Sequence, residues 1–258
     1  MFDKSFGLIG GGRVDKILLH AMSRKSLLPK NIIVSDTNNE VLQKLKNQFP
    51  NIVITNDNME PAKCDYVFIS LHPPVFMSVL NEIKESVRPE SVIISLAPKI
   101  SIEKIQGILT QSKNVVRMIP NAPSYINKGY NPIAFSKDIA GEVKSELEKL
   151  FSVFGEFPEV NEYNLEAYAI VAAMGPTYLW FQLQQLKELG ASFGLSEDEL
   201  KKTMPAMVKG AIDTMFESGL SIDEVIDLVP VKPLAEDEPA IKNMYKTKLE
   251  NLFAKLKS

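Results

Sequence analysis

The stretch GLIGGGRVD sets three consecutive glycines, Gly10, Gly11 and Gly12, between an apolar run and the helix-period segment KILLHAMSRK. A strand, a glycine turn and a helix N-terminus in that order form an anion site, because unpaired backbone N–H groups and the helix dipole point to the same place. Gly10 supplies the tight turn and Gly12 the close approach of backbone to phosphate, with Gly11, Arg13 and Val14 completing the loop. The pattern is read as a dinucleotide turn. Its third position, where a small residue lets helix and strand pack closely, carries Asp15. That carboxylate is expected either to stand where the pyrophosphate has to sit or to point outward as a first-turn acid held by the dipole.

Further groups stand at the ends of the next strand-like runs. NIIVSD ends in Asp36, followed by Thr37. Asp36 can accept from a ribose hydroxyl, or simply open the turn into the following helix. No Arg or Lys follows it closely to hold a ribose phosphate, so this edge leans towards NAD, with NADP left open. Leu71, His72 and Pro73 lie in SLHPP, and Ala97 in SLAPK, both at the carboxyl edge of a parallel sheet, where open α/β folds bind ligands. His72 is one of two histidines, and without a second His or Cys at ligand spacing no metal is expected. The single cysteine, Cys64, precedes an apolar run and is read as core packing in a reducing compartment.

The elements that position these groups are legible in the periodicity. Short β-branched runs (SFGLIG, NIIVSD, NIVIT, DYVFISL, SVIISLA, NVVRMI) alternate with segments whose apolar residues recur at three and four. This predicts an α/β fold: an N-terminal Rossmann-like doubly wound parallel sheet over residues 1–160, followed by an all-helical dimerisation and substrate domain over 161–258. In the second part, NLEAYAIVAAMGPTYLWFQLQQLKELGASFG is expected as one long helix, too apolar to be wetted on any face and so covered by a bundle or a second subunit. SEDELKKTMPAMVKGAIDTMFESG follows with a Ser196–Glu199 capping box, and Pro205 is expected to kink or restart it. With a formal net charge of -3 and no basic run, the composition argues against nucleic acid. The run AYAIVAAMGPTYLWF falls short of a bilayer span, and the chain opens on a strand pattern without a leader, so no membrane partner and a cytoplasmic location are expected.

VVRMIPNAPSYINKGY, together with AAMGPTYLWF, resembles the pyrroline-5-carboxylate reductase family. Arg117, Pro120, Asn121 and Pro123 match its Arg-x-x-Pro-Asn-x-Pro motif; Gly175, Pro176 and Tyr178 match part of the motif on its long helix. The resemblance runs from the first strand to about Leu228. It implies hydride transfer from NADPH or NADH to a small-molecule cyclic imine, as in proline biosynthesis, by a homodimer or larger homo-oligomer built through the C-terminal helices. It also implies cofactor contacts at Gly10, Gly12, Asp36 with Thr37, Leu71 with His72 and Pro73, Ala97 and Asn121.

The departures from that family all fall at the site: it usually has Ala in place of Asp15 and Lys-Pro in place of His72 and Pro73. Its Ser-Pro-Gly-Gly-Thr-Thr loop, which holds the substrate carboxylate, is replaced by PVKPLAEDE, with Glu236 aligned to the last Thr and Lys232 available as a point charge. Thr177 is the expected polar contact at the start of the long helix. Two alternatives to proline synthesis therefore stay open: a reductase of an imine lacking a carboxylate, to which Glu236 is attractive, and a non-catalytic or nucleotide-sensing paralogue.

Overall fold

The computed structural model describes residues 3–257. Strand and helix alternate in β1 (Phe6–Ile9), α1 (Arg13–Arg24), β2 (Ile32–Ser35), α2 (Asn39–Gln48), β3 (Val53–Thr55), α3 (Met59–Ala62), β4 (Tyr66–Ile69), α4 (Pro73–Ile83), β5 (Val92–Ser95), α5 (Ile102–Ile108) and β6 (Val115–Met118). Two of these helices begin at a capping side chain. Asn38 accepts from the N–H groups of Glu40 and Val41, and Ser101 from Lys104. Pro73 and Pro74 open α4, where a missing N–H costs nothing. The chain then adds β7 (Gly129–Tyr130), β8 (Ile133–Phe135), α6 (Gly141–Phe151) and β9 (Gly155–Glu156).

Seven strands form one sheet in the order β3-β2-β1-β4-β5-β6-β8, parallel except for β8, which runs against β6. β7 and β9 pair separately. Alternation sends side chains to two cores. Phe6, Leu8, Phe68, Ile94 and Val116 pack against α1, α2 and α6, while Ile9, Val67, Ile69, Ile93 and Val115 pack against α4, α5 and Leu165. Cys64 lies buried in the second core, as expected of a packing residue. The strand order reverses between β1 and β4. At that switch point the connections leave towards opposite faces, opening a crevice at the strands' carboxyl ends.

After Phe157 the helices take over. α7 (Leu165–Tyr168) passes through a π-helical turn (Ala169–Ala173) into α8 (Gly175–Ser192), followed by α9 (Glu197–Glu217), α10 (Ile222–Asp227) and α11 (Glu238–Lys257). The expected single long helix is thus interrupted. The Met174 N–H reaches back five residues to Ala169 O at 3.0 Å, which puts Pro176 in the first turn of α8. α9 begins at the expected Ser196–Glu199 capping box and runs on through Pro205 without restarting. A second box, Ser221 with Glu224, opens α10. The chain divides into two compact units: one runs to Met174 and takes in the chain from Leu252 onward, the other is Gly175–Asn251. None of the described helices is long and apolar enough to cross a membrane.

Candidate functional site

At the switch point of the first unit lies a cavity of about 830 Å³, within the roughly 300–1,000 Å³ range of ligand pockets. Gly11, Gly12, Arg13, Val14 and Lys16 line it from the glycine turn and α1, Lys44 and Gln48 from α2, and Ser70 and His72 from the end of β4. Gly10 holds φ +102°, and a Cβ there would come within 3.0 Å of Ser70 O and 3.2 Å of Leu71 Cδ2. It therefore lets β1 turn tightly against the end of β4. At Gly12 an added Cβ would meet nothing within 4 Å, so the turn is open on that side. As N-cap of α1, Gly12 offers no capping side chain and leaves the helix start to an outside acceptor. These features fit a pyrophosphate.

Asp15 takes neither of its two expected positions. It is fully buried, is not among the residues lining the cavity, and accepts a hydrogen bond at Oδ1 from Ser70 Oγ at 2.7 Å. Its Oδ2 has no partner. Burial pushes its carboxyl well above the usual range; the Ser70 bond opposes this and the nearby Asp36 charge adds to it. The side chain joins the glycine turn to the end of β4 from beneath and leaves the phosphate position free.

Asp36 accepts from two backbone donors, Gly11 N–H at Oδ2 and Asn38 N–H at Oδ1, both at 2.8 Å. It thereby fixes the glycine turn to the β2–α2 connection, with the exposed Thr37 in between. Leu71, His72 and Pro73 lie together after β4, His72 exposed and N-cap of α4. Ala97 is buried just beyond β5. Asn121 is buried too, and its amide is committed: Nδ2 donates to Ala172 O at 2.7 Å and Oδ1 accepts from Tyr130 N–H at 3.4 Å. Ala172 O is the carbonyl that Pro176, lacking an N–H, cannot serve in a regular helix. Asn121 supplies that donor and ties the end of β6 to the π-helical turn.

Sequence reasoning missed the ion cluster around Arg117. This guanidinium, 3% exposed, donates to Glu162 Oε1 at 3.0 Å and Glu166 Oε1 at 2.7 Å. Glu166 also accepts from Lys99 N–H, Glu162 from Ile102 N–H, and Lys257 comes within 3.8 Å of Glu166 while donating to Tyr163 O. Burial alone would raise the Glu166 carboxyl, but the hydrogen bond and charge of Arg117 outweigh it and hold the group below its usual range. The three candidates for the substrate end belong to the second unit. Thr177 stands in the first turn of α8, and Lys232 and Glu236 stand in the segment between α10 and α11, all exposed.

Residues 5–99 match the family described as "NADP oxidoreductase coenzyme F420-dependent". The chain is 27% identical over 224 residues to a pyrroline-5-carboxylate reductase of Corynebacterium melassecola, covering 86% of this chain and 83% of that one. It is 23% identical over 229 residues to that of Escherichia coli K12, covering 88% and 85%. Among solved structures, the NADP-bound pyrroline carboxylate reductase of Plasmodium falciparum superposes with a TM-score of 0.81 at 21% identity, covering 100% of this chain and 98% of that one. The Streptococcus pyogenes enzyme gives 0.76 at 18% identity, covering 98% of each.

Proposed function

We propose that this divergent relative of the pyrroline-5-carboxylate reductases is an NAD(P)H-dependent oxidoreductase that reduces the C=N bond of a cyclic imine, with pyrroline-5-carboxylate the first candidate. The observation that carries the reading is the open glycine turn at the switch point, with the buried Asp15 withdrawn from the phosphate position. The reduced nicotinamide, when bound, supplies the hydride. The chain's part is to hold and orient. The start of α1 would hold the pyrophosphate, Asp36 keeps the turn in register, and Ser70 and His72 after β4 would border the bound dinucleotide.

Thr177, Lys232 and Glu236 remain our candidates for the substrate end: Lys232 as a point charge for a carboxylate, Thr177 as a hydroxyl contact. Glu236 favours a second reading. In a segment that also carries Asp237 and has no glycine to expose backbone donors, it attracts an imine without an acid group. We also infer that the second unit mediates a homodimer or larger homo-oligomer, because α8 exposes Trp180 by 54% and Phe181 by 67%. The test of function is consumption of NADPH or NADH by the purified chain with pyrroline-5-carboxylate and, separately, with a cyclic imine lacking the carboxylate. Turnover of the first supports the proline-type reaction, turnover of the second alone supports the other substrate class, and turnover of neither contradicts the enzyme reading.

A further inference from the structure

We propose that Asp15 couples ligand binding at the glycine turn to a proton: the turn holds a dinucleotide while Asp15 is neutral and loses it as Asp15 ionises. The inference rests on the reading of the cavity as a dinucleotide site and adds a control that a small apolar residue at this position could not exert.

The geometry sets the coupling. Asp15 stands in the first turn of α1, which opens at Gly12, and its carboxyl is fully buried beneath the turn. Ser70 Oγ donates to Oδ1 at 2.7 Å, and Ser70 also lines the cavity, so a single residue separates the carboxyl from the ligand space. The backbone N–H groups of Gly12 and of Asp15 itself favour a negative charge on that carboxyl. They belong to the same helix start that offers its free donors to a phosphate. Ionised, Asp15 draws on those donors and sets a charge against an anionic ligand; neutral, it leaves them to the ligand.

Nothing beside Asp15 cancels that charge. Its Oδ2 has no partner, no cation among the described residues pairs with it, and Asp36 at the end of β2 is a second acid that opposes ionisation. The other charged or titratable side chains line the cavity above: Arg13 and Lys16 on α1, Lys44 on α2 and His72 after β4. The 3-10 turn Ala122–Ile126, packed on α1, carries only the Tyr125 phenol. Burial favours the neutral carboxyl, and a pyrophosphate on the turn favours it further. A ligand that raises the affinity for a proton is itself bound more tightly by the protonated chain, so dinucleotide affinity must fall as pH rises through the value at which the free chain releases the Asp15 proton.

The experiment is a fluorescence titration of the intact chain with NADPH and with NADH at a series of pH values between about 7 and 9, repeated for Asp15→Asn. The wild type is expected to lose affinity by up to about tenfold per pH unit as Asp15 ionises. Asp15→Asn should change only by what His72 and the other shared groups contribute, so the two chains bind alike near pH 7 and the variant binds several-fold more tightly near pH 9. Calorimetry near pH 8.5, in two buffers of different ionisation enthalpy, should show the wild type taking up a proton on binding where the variant takes up less. If the variant does not fold, uptake by the wild type alone decides, since His72 is already neutral at that pH. Affinities that run parallel in the two chains, or a wild type that takes up no proton, would overturn the proposal. Binding of neither cofactor at any of these pH values would instead defeat the underlying reading of the cavity, and the inference with it.

Discussion

Replacing Asp15 by Asn tests the most unusual feature of the glycine turn. The wild-type carboxyl is fully buried with one hydrogen bond, from Ser70, so burial keeps it protonated in the folded chain well above the ordinary carboxylate range. The unfolded chain releases that proton near pH 4. A group whose folded pKa is raised contributes fully below its unfolded pKa, and the contribution is lost as pH rises towards the folded value. Across that window one proton is at stake, which amounts to about 1.4 kcal/mol of stability per pH unit. Asn keeps the shape and the acceptor for Ser70 but cannot ionise. The difference in unfolding free energy between Asp15→Asn and wild type should therefore be flat below about pH 4, then move in favour of the variant by about 1.4 kcal/mol per unit until Asp15 ionises in the folded state. Urea unfolding at a series of pH values and fixed protein concentration reads this directly, and taking the difference cancels the other titrating groups. A difference independent of pH between 4 and 8 would refute the reasoning, because it would mean that burial does not hold the proton.

Gly10→Ala forces a side chain into φ +102° and against Ser70 O at 3.0 Å. It should cost about 2 kcal/mol in urea unfolding and weaken dinucleotide binding in the same titration that tests the wild type. Arg117→Met strands the buried Glu166 and the partly buried Glu162, for an expected loss of about 3–5 kcal/mol. Because Arg117 holds the Glu166 carboxyl below its ordinary value, the contribution is present above about pH 4.5 and fades as pH falls through the folded value. The deficit of the variant should thus narrow in acid, and a deficit that grows there would count against the ion cluster. Phe181→Glu should lower the sedimenting mass of the chain to that of one protomer; a wild type that already sediments as a monomer at micromolar concentration removes the basis for the assembly.

Most of the six main parallel strands were legible because a strand buried on both faces has to be a short, almost wholly apolar run, and VIIS or FGLI between polar turns has few other uses; the exposed edge strand β3 was legible from its β-branched run NIVIT. β7, two residues long, and α3, four residues with an internal proline, carry no period long enough to read. The glycine turn was legible as a site, whereas the position of Asp15 was not, since its partner Ser70 is a strand-end residue brought near by the β1–β4 pairing. The same limit hid Lys44, and the acids that pair with Arg117. The motif containing Arg117 and Asn121 stood out by resemblance, but periodicity says nothing of Glu166 beneath it or of a carbonyl left open by Pro176. A 3.6-residue pattern likewise passes smoothly through the π-helical turn, so two helices read as one.

The central claim is hydride transfer from a reduced nicotinamide to an imine carbon, and the most direct measurement uses NADPH carrying deuterium at the transferable position of its nicotinamide ring. Incubated with the purified chain and pyrroline-5-carboxylate, it should yield proline carrying one deuterium on the former imine carbon, detected by mass spectrometry and dependent on the enzyme. Unlabelled proline, or no proline from this substrate together with no labelled amine from the carboxylate-free imine, would contradict the account.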